Sequence, residues 1–325
     1  MCIRDRDSDA FPSVIFDSAH GTDSTAAAAL YAIFVCGPER RAVLYKSANG
    51  VTDWEKVCDD VPDGMESSPG VRLQNRLWLI GGSAVDPERI SNRICYYDLD
   101  LGNGWQEAEV TGFDAGARMG HACTVVDDNT VWVLGGLDKY RTSLNDGWIL
   151  TFSDGGETVN AKPLEKESDW PPRCMFSAAR FGDMIWVCGG VTSPNGRPLG
   201  DLWATDSGNL LWNERPTGET GLVVTNAVGI GAVAADDKLF VLMMNRTGGP
   251  DWQLDSGMWA IGTSGMGETS DTWVRTSRQP DFLNHLPPKP HSIAVVCFQN
   301  RLYLRHLHGN DLCGDFVRSP MYVYV

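Results

Sequence analysis

His306 and His308 stand two residues apart in "RHLHGNDLCGD" (residues 305–315), with Asp311, Cys313 and Asp315 just beyond. On a strand, that spacing turns both imidazoles to one face. Two imidazoles with a carboxylate nearby, here Asp311, form a ligand set for zinc or another divalent ion. The same residues also read as ordinary polar groups at a strand end, solvated or hydrogen-bonded, so we assign no metal and no cofactor. Arg118 and Arg173 open equivalent segments, and Arg246 is a third cation that could join them around a carboxylate. Other chemistry is missing: no Gly-x-x-x-x-Gly-Lys loop, no His-Glu-x-x-His, no Gly-x-Ser-x-Gly. "GIGAV" from Gly229 has only two of the glycines of a dinucleotide loop and sits in a strand pattern.

The elements that must hold these residues are written as a repeat. Aligned apolar runs begin at Phe34 ("FVCGP"), Trp78 ("WLIGG"), Trp132 ("WVLGG"), Trp186 ("WVCGG"), Phe240 ("FVLMM") and Tyr303 ("YLRHL"). Their first aromatics are 44, 54, 54, 54 and 63 residues apart, and three equal intervals in succession mark a repeat protein. Each run has the apolar, β-branched content of a short strand. A second strand precedes it across an Asp-, Asn- or Gly-rich turn, as in "HACTVVDDNTVWVLGG". A third follows in "RICYYDLD", "DGWILTF", "DLWATD" and "GMWAIG", and a fourth carries Trp54, Trp105, Trp212 or Trp273. Such four-stranded units bury their faces by radial stacking into a propeller. The glycine pairs fit inner strands crowding the axis, and the tryptophans fit the space between blades.

Residues 118–136, "RMGHACTVVDDNTVWVLGG", resemble the kelch motif: an Arg, a Gly-His pair, two short strands and the double glycine. "SLNDGWILTF" and "GDLWATDSGNLLW" resemble its continuation toward a closing Trp. The resemblance covers nearly the whole chain and weakens at Met243-Met244 and at Arg305-His306. It implies an all-β fold, a six-bladed propeller of four-stranded antiparallel blades with the architecture of the galactose oxidase propeller. The last unit shows only three strands, so "FPSVIFDS" near the start is expected to supply its outer strand and close the ring. Residues 1–7 read as a leader foreign to the repeat, and 8–325 as a single propeller domain. In this fold the loops after the double glycine and the starts of the inner strands share one rim, the usual place for ligands. The resemblance thereby nominates Arg118, His121, Asp138, Lys139, Arg141, Arg173, Arg197, Arg246 and His291 as ligand-binding residues. For Arg118 and His121 the motif equally implies packing and turn hydrogen bonds.

"KSANGVTDW" (46–54) and "SDGGETV" (153–159) resemble the Asp-box turn of sialidases and other glycan-acting propellers, where the turn is scaffold. A sialidase-like site would need three arginines beside a Tyr–Glu pair, and no such pair can be assigned. A copper–radical oxidase of the kelch type would need two Tyr, two His and a Cys–Tyr crosslink, a set that cannot be placed among six histidines.

Composition narrows the partners. A net charge of −15 and a pI near 4.7 argue against nucleic acid or an anionic membrane. No run approaches the roughly 18 apolar residues of a membrane span. The nine cysteines form no Cys-x-x-Cys pair, and those in apolar runs (Cys36, Cys95, Cys188, Cys297) read as buried thiols packing as hydrophobes. Asn245-Arg246-Thr247 fits the N-glycosylation pattern. Acidity and the carbohydrate-type turns lean toward an exported protein, against the unpatterned cysteines. The reading is a monomeric, non-catalytic binding propeller that recognises a glycan or a protein at its rim. The alternative is a glycan-active enzyme, either a sialidase-like hydrolase or an acidic-sugar mutarotase or isomerase.

Overall fold

A computed structural model describes residues 15–16, 29–36, 41–48, 54–65, 68–83, 90–113, 116–153, 155–165, 168–193, 199–206, 210–215, 227–235, 238–246, 254–264, 268–269, 274–275, 292–298, 301–307 and 322–324. Strands follow the repeat. The first sheet joins β1 (Ile15–Phe16), β2 (Leu30–Cys36), β3 (Arg41–Ser47) and β4 (Glu55–Cys58) in that order. The second joins β5 (Gly70–Leu73), β6 (Arg76–Ser83), β7 (Ile90–Asp98) and β8 (Trp105–Glu107). In the third, β9 (Glu109–Thr111) precedes β10 (Ala122–Asp127), β11 (Thr130–Leu137), β12 (Ser143–Phe152) and β13 (Thr158–Pro163) in the chain, yet pairs in parallel with β13 at the far edge. The fourth holds β14 (Ser177–Phe181), β15 (Met184–Cys188), β16 (Leu202–Asp206) and β17 (Asn213–Arg215). The fifth holds β18 (Ala227–Ala235), β19 (Lys238–Arg246), β20 (Leu254–Ser264), β21 (Glu268–Thr269) and β22 (Val274–Arg275). The sixth holds β23 (Ser292–Phe298), β24 (Arg301–Leu307) and β25 (Tyr322–Tyr324).

The fold is an all-β propeller. First strands neighbour one another from sheet to sheet: β1 lies by β5, β5 by β10, β10 by β14, β14 by β18, β18 by β23 and β23 by β1. Two expectations change. The runs that end in Gly-Gly are the second strands of their sheets, so it is the preceding strands that meet around the axis. The N-terminal segment also goes elsewhere: Ile15 and Phe16 pair with Ala32 and Tyr31 as the first strand of the first sheet. Phe16, 1% exposed, explains the choice, because it drops into an apolar cluster with Ile33, Leu44, Leu77 and Leu79. Among the described residues three sheets have four strands, two have five and the last has three, so five sheets have the strands of a full blade where six were expected.

Between sheets the core is aromatic. Trp78 packs edge-on against Phe152 at 4.5 Å between the second and third sheets, and Trp170 meets Trp212 edge-on at 5.9 Å. Of the fourth-strand tryptophans, Trp105 lies in β8, Trp54 and Trp212 immediately precede β4 and β17, and Trp273 lies outside the described residues. Cys95 and Cys188 are buried free thiols whose burial raises them to about 11 and about 12, in keeping with the packing role. The side chains of Cys36 and Cys297 lie outside the described residues.

The glycine pairs do a specific job. Gly135 and Gly136 have φ of 52° and 99°, and Gly81–Gly82 and Gly189–Gly190 repeat the pattern. A Cβ on Gly136 would come within 2.7 Å of His121 Cβ and 2.8 Å of the Met119 carbonyl oxygen. Gly136→Ala is expected to destabilise the protein by about 2–4 kcal/mol, from positive-φ strain and overpacking together, read as a lower urea midpoint. Gly155→Ala, in a turn with open space around the added methyl, should cost far less.

Candidate functional site

The nominated arginines resolve into a repeated internal device. Arg118 is 0% exposed; Nη1 and Nη2 donate to both carboxylate oxygens of Asp146 at 2.9 and 2.8 Å, and Nη1 also reaches the Gly135 carbonyl at 3.0 Å. Arg173, equally buried, does the same with Asp201 at 2.7 and 2.7 Å and with the Gly189 carbonyl at 2.8 Å. In each case the acid is 28 residues downstream, on or just before the third strand. Each acid is also fixed by an indole two residues on: Trp148 Nε1 donates to Asp146 at 3.2 Å, and Trp203 Nε1 to Asp201 at 2.7 Å. The backbone of each arginine ties in the preceding blade. Gly82 N–H donates to the Arg118 carbonyl at 2.8 Å and Gly136 N–H to the Arg173 carbonyl at 2.9 Å.

These clamps set the electrostatics. Burial by itself would push the Asp201 carboxyl up. The Arg173 hydrogen bonds and charge, helped by the Trp203 indole, outweigh it and hold the group below the usual carboxylate value. His121, 5% exposed, puts Nε2 3.0 Å from the Ile80 carbonyl across the blade boundary. Burial, reinforced by the Arg118 charge, lowers it to about 3, so it is neutral with Nε2–H as donor. The structure therefore makes Arg118, His121 and Arg173 parts of the frame, with their polar atoms turned into the chain and not toward a ligand. Sequence reading passed over Asp146 and Asp201. The signal was present as Asp-x-Trp in "NDGWIL" and "GDLWAT", at a fixed 28 residues from each Arg.

Three other nominees come together on the rim. Asp138, Lys139 and Arg141 occupy the turn between β11 and β12. Asp138 Oδ1 accepts the N–H groups of Tyr140 and Thr142, each at 2.8 Å. Its backbone closes the loop through the Arg141 N–H to Asp138 carbonyl bond at 2.9 Å and the Asp138 N–H to Thr142 carbonyl bond at 3.1 Å. Arg141 sits at φ 60°. The turn thus lifts Tyr140, which sequence reading missed, to 76% exposure, with Lys139 Nζ 5.1 Å from its ring centroid. Arg197, His291, His308 and Asp311 lie outside the described residues. Arg246 ends β19 and His306 lies in β24, but their side chains are outside as well. Among the described residues no three His, Cys, Asp or Glu groups gather to hold a metal.

Ser153, Gly155 and Gly156 of the 153–159 turn are described. Ser153 caps it: its carbonyl accepts the Gly156 N–H at 2.7 Å and its Oγ the Thr158 N–H at 3.3 Å. Asp154 lies outside the described residues, as do residues 49–53 of the other such turn. A guanidinium from the second blade, Arg76, donates to the Gly155 carbonyl and pairs with Asp98 at 2.9 Å. The turn is a contact between blades.

The described strands, the repeated Arg–Asp clamp and the paired positive-φ glycines define a propeller of kelch repeats. Residues 70–305 match the KLHDC2/KLHL20/DRC7 Kelch-repeats domain, and the chain belongs to the kelch-repeat family. It is 29% identical over 161 residues to the dynein alpha chain of the flagellar outer arm of Chlamydomonas reinhardtii, a match covering 46% of this chain and 3% of that protein. It is 32% identical over 98 residues to the tRNA wybutosine-synthesizing protein 2/3/4 of Arabidopsis thaliana (30% of this chain, 9% of that one). It is 31% identical over 101 residues to the serine/threonine-protein phosphatase BSL2 of the same plant (30% and 10%). The matched stretch is thus a small part of each of these relatives. The solved structure of YjhT superposes with a TM-score of 0.61 over 93% of both chains at 13% identity, a likeness of fold.

Two measurements check this assignment. Arg173→Leu leaves Asp201 as an unpaired, largely buried carboxylate and should cost about 3–5 kcal/mol of stability by urea denaturation; a loss below 1 kcal/mol would return Arg173 to the list of ligand contacts. For His121 the folded value lies below the unfolded value of about 6.5, so the unfolded chain takes up the proton first. Stability is then lost as pH falls below about 6.5. Between pH 7 and pH 5 the wild type should lose about 2 kcal/mol more than His121→Gln, compared by urea midpoints at each pH.

Proposed function

We propose that this chain is a non-catalytic kelch propeller that binds a protein partner on the rim carrying the β11–β12 turn. The observation that carries the reading is the locked 138–142 turn with Tyr140 at its tip. A large amphipathic ring held out by a pre-formed turn loses little conformational freedom on binding, which is the property of an interface anchor. Tyrosine and arginine, which dominate such anchors, stand side by side at 140 and 141. Membership of the kelch family favours a protein-interaction role. No helix among the described residues is long and apolar enough to cross a membrane.

A glycan ligand finds less support. The acidic-sugar reading drew its cation clamp from Arg118 and Arg173, and both spend their guanidinium groups on Asp146 and Asp201. The nominees that remain for a rim contact are Asp138, Lys139 and Arg141 in this turn, with Arg197, Arg246 and His291 as further candidates. The enzyme alternative has no assigned acid, base or nucleophile.

Affinity capture with the wild-type protein, repeated with Tyr140→Ala and with Leu101→Ser as a control on the opposite face, tests the reading. Binding of a captured partner, remeasured with purified proteins, should weaken at least about tenfold in Tyr140→Ala, the cost of a modest hot spot, and be unchanged in Leu101→Ser. Equal binding by all three proteins would place the partner elsewhere. Turnover of a fluorogenic glycoside panel by the same sample would overturn the non-catalytic reading.

A further inference from the structure

The clamp is not uniform: the third and fourth blades carry it, and the second, whose corresponding residues are described, does not. Arg173 stands 16 residues before Gly189, whose carbonyl it binds. Arg118 stands 17 before Gly135, so the register is set by what faces the second glycine: His121, Phe176 and Ser68 lie against Gly136, Gly190 and Gly82, and three residues before them are Arg118, Arg173 and Met65. Asp146 and Asp201 each lie one residue before the partner of the residue that precedes the glycine pair, since Leu134 pairs with Gly147 and Cys188 with Leu202. In the second blade Ile80 pairs with Ile94, so the corresponding residue is Arg93. Both halves of the ion pair have therefore been replaced, the cation by Met65 and the carboxylate by Arg93.

The inter-blade backbone bond is affected as well. In the third and fourth blades the clamp residue's carbonyl accepts the N–H of the preceding unit's second glycine, Gly82 or Gly136. In the first unit, "FVCGP" places Pro38 at that position, and proline has no N–H to donate. The Met65 carbonyl instead accepts the Ser68 N–H at 3.1 Å within its own loop.

What holds this junction is of another kind. Met65 is 0% exposed and joins the apolar cluster of Phe16, Ile33, Leu44, Leu77 and Leu79. Ser68 Oγ donates to the Gly81 carbonyl in place of a guanidinium. Arg93 turns outward to Glu107 at 2.8 Å, with side chains 40% and 52% exposed, and touches the Asp63 carbonyl at 3.3 Å. An apolar contact can match a buried ion pair in free energy, but it is non-directional and lets the two faces slide. A bidentate ion pair and a cross-blade backbone bond fix the angle.

We infer that the junction between the first and second blades is a hinge of the ring, a place where it opens locally while the junctions clamped by Arg118 and Arg173 stay shut. Opening there would separate the β1–β4 sheet from the β5–β8 sheet and expose the apolar cluster around Met65 without unfolding either blade.

Amide exchange of the intact protein, followed by mass spectrometry, tests this. Protection of peptides spanning Met65 should be at least about tenfold lower than for peptides spanning Arg118 and Arg173, with local opening distinct from global unfolding. Equal protection at all three loops in the wild type would overturn the inference. Pro38→Gly, which restores the missing donor, should slow exchange around Met65 and leave the Arg118 and Arg173 loops unchanged. An Arg118→Met variant that remains folded should exchange around residue 118 at the rate of the Met65 loop; exchange unchanged from wild type would show that the clamp is not what closes these junctions.

Discussion

Everything in this ring turns on a guanidinium buried where two blades meet. Taking Arg118 or Arg173 out of water is costly, and the cost is offset only when the charge is neutralised and each donor is directed. The chain satisfies both conditions locally. A carboxylate on the third strand takes the two terminal nitrogens in a fork, the first glycine of the pair offers its carbonyl, and the indole two residues past the acid holds that carboxylate in place. The arginine's own carbonyl then receives the N–H of the glycine in the blade before. One residue thereby links strands of its own blade through its side chain and the edge of its neighbour through its carbonyl. The glycines follow from this arrangement, because a Cβ on the second of the pair would occupy the space of the loop that carries the arginine.

That use of arginine shapes what the surface can do. In a chain of net charge −15, cations near the rim are the natural candidates for recognising acids. Two of the strongest by sequence are inside the protein and already matched. Recognition by the proposed partner would then fall to loops that the clamps hold in position. The 138–142 turn is rigid for its own reasons, through the Asp138 carboxylate, and it presents an aromatic ring and two cations on a fixed base. Rigid frame and variable tip are separated in the structure as they are in the repeat: the Arg–Asp pair, 28 residues apart, occurs in two successive units, whereas "DKYRT" occurs once.

The second blade shows that the device can be dispensed with. Met65, Arg93 and Pro38 depart from the pattern together, as an exchange of one kind of junction for another requires. A methionine facing Asp would strand a buried carboxylate, and an arginine facing Arg would bury two like charges. The pair that is present, Met inside and Arg outside, avoids both. The outer edge of the third sheet is a different local solution. There β9 arrives from the preceding blade and pairs in parallel with β13, giving the two blades a second connection far from the axis.

Sequence alone determined the repeat, the strands and the family resemblance. These rest on local signals: apolar alternation, turn residues and glycine pairs recurring at 54-residue intervals. It also exposed, at Pro38, that one backbone donor is missing, since that is a property of the residue itself. Only the tertiary structure decided which strand lies nearest the axis, where residues 15–16 pair, and whether an arginine faces a ligand or its own chain. Those outcomes depend on partners far apart in sequence. Arg118, before β10, and Lys139, after β11, carry the same charge, and charge alone does not say which faces inward. The difference is that Asp146 comes back across the sheet to meet the first, and among the described residues no strand returns to cover the second.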